Sequence, residues 1–221
     1  MKQEVQLVTQ LHTRTKRDYI GRVTGADKGE CAAIARQWGK DYWDGDRKHG
    51  YGGYHYDGRW APVAQRMIDR YKLTNKSSIL DVGCGKGFLL HELKVLLPGA
   101  KVRGLDISEY GLQHAKEEVR EHLTLGNCNQ LPYADQEFDF VYSIMTLHNL
   151  YIYDLFASVR EIKRVMKGDG YIGLESYRTE AEKANLIYWQ LTCEAFFTPK
   201  EWAWIYDQCG YTGDTEYFFF E

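Results

Sequence analysis

The sequence predicts an α/β protein built on a doubly wound, mostly parallel sheet. From residue 78 onward, short apolar runs that predict strands (SILDV, KVRGLDI, FDFVYSI, GYIGLES) alternate with longer amphipathic runs that predict helices (FLLHELKVLLPG, DLFASVREIKRVM). Short connections between such elements favour right-handed crossovers, and therefore parallel strands. A glycine-rich turn follows the first of these strands, at the end of the sheet where ligands bind in such folds.

The remaining elements are predicted in order along the chain. Residues 1–38 are expected to form helices, one of which begins at the N-cap Asp27, with Glu30 three places on. Residues 61–73 predict a helix with Pro62 in its first turn. The segment SEYGLQHAKEEVR predicts a helix capped by Ser108, and HLTLG predicts a weaker strand. Two helices, RTEAEKANLIYWQL and TPKEWAWIYDQCG, and a last strand, TEYFFFE, complete the chain.

Composition limits the class of protein. The 221 residues carry a formal net charge of −3, which offers no general electrostatic attraction for nucleic acid. No apolar run approaches the ~18 residues of a membrane span, and the first residues contain no apolar signal region. The five cysteines follow no pairing pattern, which favours a reduced, cytoplasmic protein. No HExxH, CxxC or clustered carboxylate pattern in the sequence predicts a metal site.

A local group of basic residues stands near the start of the chain. Its members are His12, Arg14, Lys16, Arg17 and Arg22. Such a group either binds phosphates, or forms a solvated helix face or packs against the lid. The sequence favours the second interpretation.

The segment ILDVGCGKGF carries the main functional signal. Asp81 lies in the predicted strand, and Gly83, Gly85 and Gly87 allow a tight turn with close approach of a ligand to the backbone. A nicotinamide-dependent oxidoreductase would need the spacing GxGxxG, but Phe88 stands where the third glycine belongs. The spacing therefore argues against a dinucleotide site.

With this motif, the chain resembles the class I S-adenosylmethionine-dependent methyltransferases. VRGLDIS supplies a second acid, Asp106, whose carboxylate can accept both ribose hydroxyls of a nucleoside. GNCNQLPYADQEFDFV is similar to the family segment that faces the adenine, with Asn127 at the polar position, and REIKRVMKGDGYIGLES is similar to its helix, turn and fifth strand. The resemblance implies S-adenosylmethionine as donor, S-adenosylhomocysteine as product and no metal. The cofactor-binding residues it implies are Asp81, Gly83, Cys84, Gly85, Gly87, Asp106, Ile107, Asn127, Cys128 and Ser143.

The resemblance also predicts how the chain is organised. We expect one methyltransferase domain, with N-terminal helices and a lid over residues 1–71 and a Rossmann-like core over residues 72–221. The family usually ends in two antiparallel strands, but only about ten residues follow Gly210. The last hairpin is therefore expected to be shortened, or to find its other strand within residues 191–197.

Residues 41–60 (DYWDGDRKHGYGGYHYDGRW), termed the aromatic segment below, combine six aromatic residues with five glycines. In the family, residues ahead of the first strand often cover the methyl donor, and aromatic faces stabilise cations such as its sulfonium. The alternative is a surface loop folded on its own aromatics. Together with DVGCGKGFLL, TLHNLYIYDLF and WQLTCEAFFTPKEW, this segment is similar to sequences of small stand-alone bacterial methyltransferases. The expected substrate and lid residues are Trp43, Tyr51, Tyr54, Arg59 and Tyr177.

Two histidines are candidates for a general base. His148 follows the fourth strand, and His55 lies in the aromatic segment; either could take a proton from an acceptor, or could only bond to loop backbone. Arg59 could hold an anionic substrate or pair with Asp57 or Asp46.

The expected activity is methyl transfer to O or N of a small polar metabolite or sugar derivative. The stretch after the fourth strand, SIMTLHNL, lacks the proline motif of the enzymes that methylate nucleic-acid amino groups. A methyltransferase acting on RNA or protein and a non-catalytic sensor of the donor stay as alternatives. The acceptor and the oligomeric state are left open.

Overall fold

The computed structural model describes residues 3–221. The strands are β1 (Ser78–Val82), β2 (Lys101–Asp106), β3 (Leu123–Leu125), β4 (Phe138–Ile144), β5 (Met166–Glu175) and β6 (Asp214–Phe218). The α-helices are α1 (Thr9–His12), α2 (Tyr19–Thr24), α3 (Lys28–Ala35), α4 (Lys40–Trp43), α5 (Ala61–Tyr71), α6 (Phe88–Leu96), α7 (Glu109–Gln113), α8 (Glu117–Arg120), α9 (Ile152–Val165), α10 (Glu180–Trp189) and α11 (Pro199–Gln208). Short 3-10 helices cover Arg47–His49 and Leu147–Asn149.

The six strands form one sheet in the order β3-β2-β1-β4-β5-β6, and every neighbouring pair runs parallel. The order reverses between β1 and β4, so the chain winds outward from the centre in both directions. The predicted α/β class and doubly wound sheet are confirmed. The crevice at the carboxyl ends of β1 and β4 is where ligands bind in sheets of this kind.

Apolar residues of alternating strand positions fill a core on each face of the sheet. On one face, Leu80 and Val82 pack with α9 and α11, including the fully buried Trp202. On the other face, Ile79 packs with α5 and α6, including Met67. Burial of both faces explains why these strands read as continuous apolar runs.

The carboxy-terminal edge differs from one expectation. Only one strand follows Gly210, as expected, and it pairs parallel with β5 rather than in an antiparallel hairpin. The alternative that placed a partner strand within residues 191–197 was wrong, because that stretch forms no strand. The outer edge of β6 is instead met by the start of the chain: Val5 N donates to Thr215 O, and Thr215 N donates to Gln3 O, both at 2.9 Å.

A buried carboxylate fastens this first segment. Glu216 of β6 accepts hydrogen bonds from the backbone N–H groups of Leu7 (2.7 Å), Val8 (3.0 Å) and Thr9 (2.5 Å), and from Tyr171 Oη at 2.6 Å. Charge-assisted bonds to free N–H groups at a helix start are strong. The expected helical region 1–38 begins outside the described residues, and residues 3–8 form one bridge to β6 and no helix.

The helix starts were predicted better than the helix lengths. Asp27 caps α3 by accepting from Glu30 N at 2.8 Å, and Ser108 caps α7 by accepting from Gly111 N at 2.9 Å. The single helix expected over residues 108–120 is two short helices, α7 and α8.

Candidate cofactor and substrate site

The glycine turn after β1 brings backbone close to its surroundings at two positions. Gly83 has φ +85°, and a Cβ there would collide with the side chain of Thr146. Gly85 has φ +53°, and a Cβ there would lie 2.6 Å from the indole of Trp43. Both positions therefore require glycine, because residues with a side chain disfavour this backbone conformation and a Cβ would collide with a neighbouring side chain. Gly87, at φ +64°, occupies the N-cap of α6.

Asp106 ends β2 beside this turn. One carboxylate oxygen accepts from Gly85 N at 2.7 Å and the other accepts from Ser108 N at 2.7 Å. Burial raises the pKa of Asp106, although these backbone bonds oppose the shift. Each oxygen keeps a second lone pair, so the carboxylate can still accept hydroxyl donors from a ligand.

A cavity of about 160 Å³, termed the Asp106 cavity, opens at the carboxyl ends of β1, β2 and β4. Ile107 lies at this cavity with 55% of its side chain exposed, which offers an apolar surface to a flat ligand. Seven residues predicted to hold the cofactor or cover it line this cavity: Trp43, Tyr51, Gly83, Asp106, Ile107, Asn127 and Cys128.

A second, smaller space of about 80 Å³ adjoins the first and is termed the Asp81 cleft. It is lined by Asp81, Cys84, Gly85 and Phe88, together with Trp43. Burial raises the pKa of Asp81 to about 8, and the neighbouring Asp106 adds to the shift. Two acids placed so close together are relieved of this cost by a cationic ligand.

Three of the predicted site residues, Gly87, Ser143 and Tyr177, do not line these spaces. Ser143 is buried and donates its hydroxyl to Val82 O at 2.8 Å, so that it joins β4 to β1. Tyr177 packs in a small apolar cluster with Leu186 and Phe220. Gly87, at the N-cap of α6, is likewise absent from the linings of the Asp106 cavity, the Asp81 cleft and the larger cavity described below.

The aromatic segment packs on itself and on the glycine turn. Trp43 and Tyr51 are stacked, with ring centroids 5.3 Å apart. Tyr54 stacks on Phe88 at 5.0 Å and accepts a hydrogen bond from Trp60 Nε1 at 3.0 Å. The aromatic segment therefore packs directly on Phe88, the residue that stands where a dinucleotide motif has its third glycine.

An ion pair that was not predicted from the sequence, between Lys86 and Asp44, joins the aromatic segment to the glycine turn. Lys86 Nζ lies 2.7 Å from both carboxylate oxygens of Asp44 and donates to Tyr54 O at 2.9 Å. Tyr110 Oη donates to the same carboxylate at 3.0 Å. Only 4% of the Lys86 side chain is exposed. A lysine within a glycine turn and an aspartate within the segment carry no periodic signal, and only the fold brings them together.

Lys86→Met is expected to lower the free energy of unfolding by about 2 kcal/mol, because it leaves the partly buried Asp44 carboxylate without its cation. Chemical denaturation measures this loss, and limited proteolysis should cut the aromatic segment faster in the variant. The matched control is Lys48→Met in the same segment, since Lys48 lies 3.9 Å from Asp46 in an exposed pair. The control should cost less than about 0.5 kcal/mol. Equal decreases in the free energy of unfolding for the two variants would contradict the stabilising role of the Lys86–Asp44 ion pair.

A larger cavity of about 380 Å³, termed the His148 cavity, lies next to the Asp106 cavity. It is bounded by the start of the chain, the aromatic segment, the ends of β4 and β5, and the end of α10. Five residues line both cavities, so the two spaces meet along a shared wall: Tyr42, Tyr51, Ile144, Met145 and Asn149.

His148 and Glu175 form a buried pair in this cavity. His148 Nε2 lies 3.4 Å from Glu175 Oε2, and the other carboxylate oxygen accepts from Gln190 Nε2. Burial lowers the pKa of His148 to about 3 and raises the pKa of Glu175 to about 8. His148 is therefore a neutral imidazole, beside a carboxyl group that retains its proton near neutral pH. His148 was predicted from the sequence and Glu175 was not, although its position at the end of a parallel strand was an available signal.

The other predicted polar residues lie at the same cavity. His55 lines its wall and is exposed. Arg59 also lines it, but its guanidinium is paired with Asp57, at 2.5 Å from the nearer oxygen. Of the two roles left open for Arg59, the structure contains the ion pair.

Two features are absent from residues 3–221. No group of three or more His, Cys, Asp or Glu side chains is arranged to hold a metal ion. Each helix in this part of the chain is too short or too polar to cross a bilayer.

Comparisons with known proteins fit this geometry. Residues 80–174 match the family model of a methyltransferase domain. The chain is 30% identical over 127 residues to the malonyl-[acyl-carrier protein] O-methyltransferase of Erwinia pyrifoliae, covering 57% of this chain and 47% of that protein. It is 29% identical over 146 residues to the demethylmenaquinone methyltransferase of Listeria welshimeri, covering 63% and 58%. The chain thus spans about half the length of these curated relatives.

Among solved structures, a chain in the Haloferax volcanii complex of the Trm112 methyltransferase activator with a methyltransferase superposes with a TM-score of 0.56. The match covers 89% of this chain and 77% of that one, at 21% identity, and supports the fold. The parallel doubly wound sheet, the glycine turn with Asp106 and the matched domain define an α/β protein of the methyltransferase class. Residues 80–174 of this chain thus form a methyltransferase domain, and the chain has the class I methyltransferase fold.

Proposed function

We propose that this protein transfers the methyl group of S-adenosylmethionine to an oxygen or nitrogen of a small polar acceptor. The observation that carries the proposal is the shared wall between the Asp106 cavity and the His148 cavity. A nucleoside-type site and a separate cavity with a titratable pair adjoin there, as a two-substrate transfer requires. The family match and the methyltransferase names of the curated relatives support the same reaction type.

The residues at the first cavity suit the proposed donor. Asp106 has lone pairs free for two ribose hydroxyls, and Ile107 and Asn127 offer apolar and polar surface to an adenine. Asp81 and the rings of Trp43 and Tyr51 lie where a cation would be stabilised. When bound, the donor supplies a methyl group activated by its positively charged sulfur.

In the proposed reaction, the protein's own contribution is mainly placement. The two cavities hold donor and acceptor on either side of the shared wall, and alignment of reacting atoms in a dry site provides much of the rate increase. Tyr51 of the aromatic segment lines both cavities, and closure of this segment over them would exclude water. Its role as a lid is part of the proposal, as is the division of the chain into a lid over residues 1–71 and a core over 72–221.

We propose that the His148–Glu175 pair accepts the proton that an O–H or N–H acceptor loses. The neutral imidazole can take the proton, and the imidazolium that forms faces the Glu175 oxygen at 3.4 Å. The peptide N–H groups of Glu194 and Ala195 both donate to His148 O at 2.9 Å, which fixes the backbone that carries the ring. His55 is the second candidate, at the exposed side of the cavity.

The proposal is tested with donor labelled in its methyl group. The purified protein is incubated with this donor and a bacterial extract that has been divided by size into metabolites and macromolecules. Label is expected in the metabolite fraction, and mass spectrometry of the labelled product identifies the acceptor. An Asp106→Asn sample serves as the control for label transferred by other enzymes.

The other outcomes would support the alternatives. Label found only in RNA or protein would replace the small-molecule acceptor with a macromolecule. Donor binding without any transfer of label would favour a sensor, and absence of donor binding would contradict the proposal altogether.

A further inference from the structure

Three arginines cluster at one end of the His148 cavity. Arg17 precedes α2, Arg22 lies within it, and Arg47 belongs to the 3-10 helix of the aromatic segment. Their guanidinium carbons lie 5.6, 5.3 and 5.1 Å from the centroid of the Trp189 indole ring. Three positive charges thus surround one aromatic side chain on the wall of a cavity.

Within residues 3–221, none of these three arginines forms an ion pair with a carboxylate, whereas Arg59 at the same cavity does. Their contacts are mostly backbone carbonyls: Arg22 donates to Arg47 O at 2.6 Å and to Trp189 O at 3.3 Å, and Arg17 donates to Thr15 O at 3.1 Å. Arg17 Nε is buried and has no hydrogen-bond partner. Carbonyl oxygens orient the guanidinium groups but leave their charges uncompensated.

The surroundings do not supply the missing negative charge. Glu175 is the one acidic residue that lines the cavity among the residues described. Its charge would raise the pKa of Arg17, but burial raises the pKa of Glu175 itself to about 8, so that it is mostly uncharged at neutral pH. The pKa of each of the three guanidinium groups is lowered, first by burial, and the charge of Arg47 adds to the effect at Arg17 and Arg22. Such like-charge repulsion is relieved by an anion bound between the groups.

We propose that this arginine cluster binds a phosphate group of the methyl acceptor, so that the acceptor is a phosphorylated small molecule. The inference rests on the proposed function, whose acceptor it specifies. A phosphate ester carries up to two negative charges and accepts paired N–H bonds from guanidinium groups, which suits three unpaired arginines better than a single carboxylate does.

The position of the cluster also orients the acceptor. The three arginines line neither the Asp106 cavity nor the Asp81 cleft, so the phosphate would lie away from the shared wall. The reacting oxygen or nitrogen then points toward His148 and Asn149. The basic group seen in the sequence is therefore divided, because Arg17 and Arg22 enter the cavity while Arg14 and Lys16 stay exposed.

Calorimetric titration with inorganic pyrophosphate tests the cluster without the unknown acceptor. The wild-type protein is expected to bind pyrophosphate, and Arg22→Gln combined with Arg47→Gln should weaken binding by about 30-fold or more, since each loses charge-assisted bonds. The matched control is Arg14→Gln, which removes the same charge from an exposed position outside the cavity. Its affinity should stay within about twofold of the wild type.

The inference is overturned if pyrophosphate does not bind the wild type, or binds it and the double variant equally. Two displacement arms test the ligand class: stronger displacement by succinate than by phosphate would replace phosphate with carboxylate, and tight binding of a single-stranded RNA that depends on Arg22 and Arg47 would replace the small molecule. S-adenosylhomocysteine is titrated into the same samples. If the wild-type protein binds pyrophosphate but not S-adenosylhomocysteine, the result counts against the proposed function alone. Thermal unfolding of each variant verifies that it is folded.

Discussion

Asp106→Asn is expected to weaken the binding of S-adenosylmethionine by about 100-fold or more. The substitution removes the charge that a ribose would share and turns one acceptor oxygen into a donor amide. Losing two charge-assisted hydrogen bonds costs about 3 kcal/mol, which corresponds to this change in the dissociation constant. Isothermal titration calorimetry with S-adenosylmethionine or S-adenosylhomocysteine measures the change directly, without knowledge of the acceptor.

The control for this experiment must separate binding from folding, because Asp106 also accepts hydrogen bonds from Gly85 N and Ser108 N. Thermal unfolding of the variant reports any loss of these internal bonds. Asp69→Asn changes an exposed aspartate on α5 in the same way and should leave donor affinity unchanged. Unaltered affinity in a folded Asp106→Asn protein would contradict the assignment of the donor to this cavity.

The second large effect is expected at the buried pair. His148→Gln should lower kcat by about 100- to 10,000-fold, as removal of a general base does, while donor affinity stays near that of the wild type. Glu175→Gln keeps the shape of the side chain but cannot ionise, so it should lower kcat through His148 rather than by direct contact with the substrate. Both variants are assayed with the acceptor identified by the labelling experiment.

The pH dependence of kcat provides a signature of this pair. Burial raises the pKa of Glu175 to about 8, so its carboxyl holds a proton at neutral pH. That proton must leave before an ionised carboxylate can stabilise the imidazolium of His148. Turnover is therefore expected to rise with pH and to level off above about pH 8, and Glu175→Gln should abolish this rise.

The exposed substitution Glu180→Gln, at the start of α10, serves as the control and should leave both the rate and its pH profile unchanged. A pH profile of Glu175→Gln that matches the wild type would contradict the role of the pair. Unchanged turnover in His148→Gln would remove that residue as the base and leave His55 to be tested in the same way.

Much of this structure could be predicted because its signals are local. β1 and β4 begin and end where their largely apolar runs do, since a strand buried on both faces is mostly apolar. Asp27 and Ser108 were recognisable as helix caps because the hydrogen bond that defines a cap joins residues close in sequence. The glycine spacing and Asp106 followed from the same kind of short-range pattern.

The features that were missed join residues that lie far apart along the chain. Lys86 pairs with Asp44 across 42 positions, and Glu216 holds the segment at Leu7 across 209 positions. Nothing in the neighbourhood of any of these residues marks it as a partner of the other. Tyr177 shows the converse, because its ring and hydroxyl suit a pocket, whereas the fold packs it against Leu186 and Phe220.

By itself, the sequence determined the fold class, the order of the strands and helices along the chain, and the loop that the family uses for its donor. Only the tertiary structure decided which side chains share the His148 cavity: the pair of His148 and Glu175, and the three arginines around Trp189. Their chemistry depends on burial and on charges brought together from distant segments. Burial and proximity are properties of packing, and a sequence records them only through the fold that it produces.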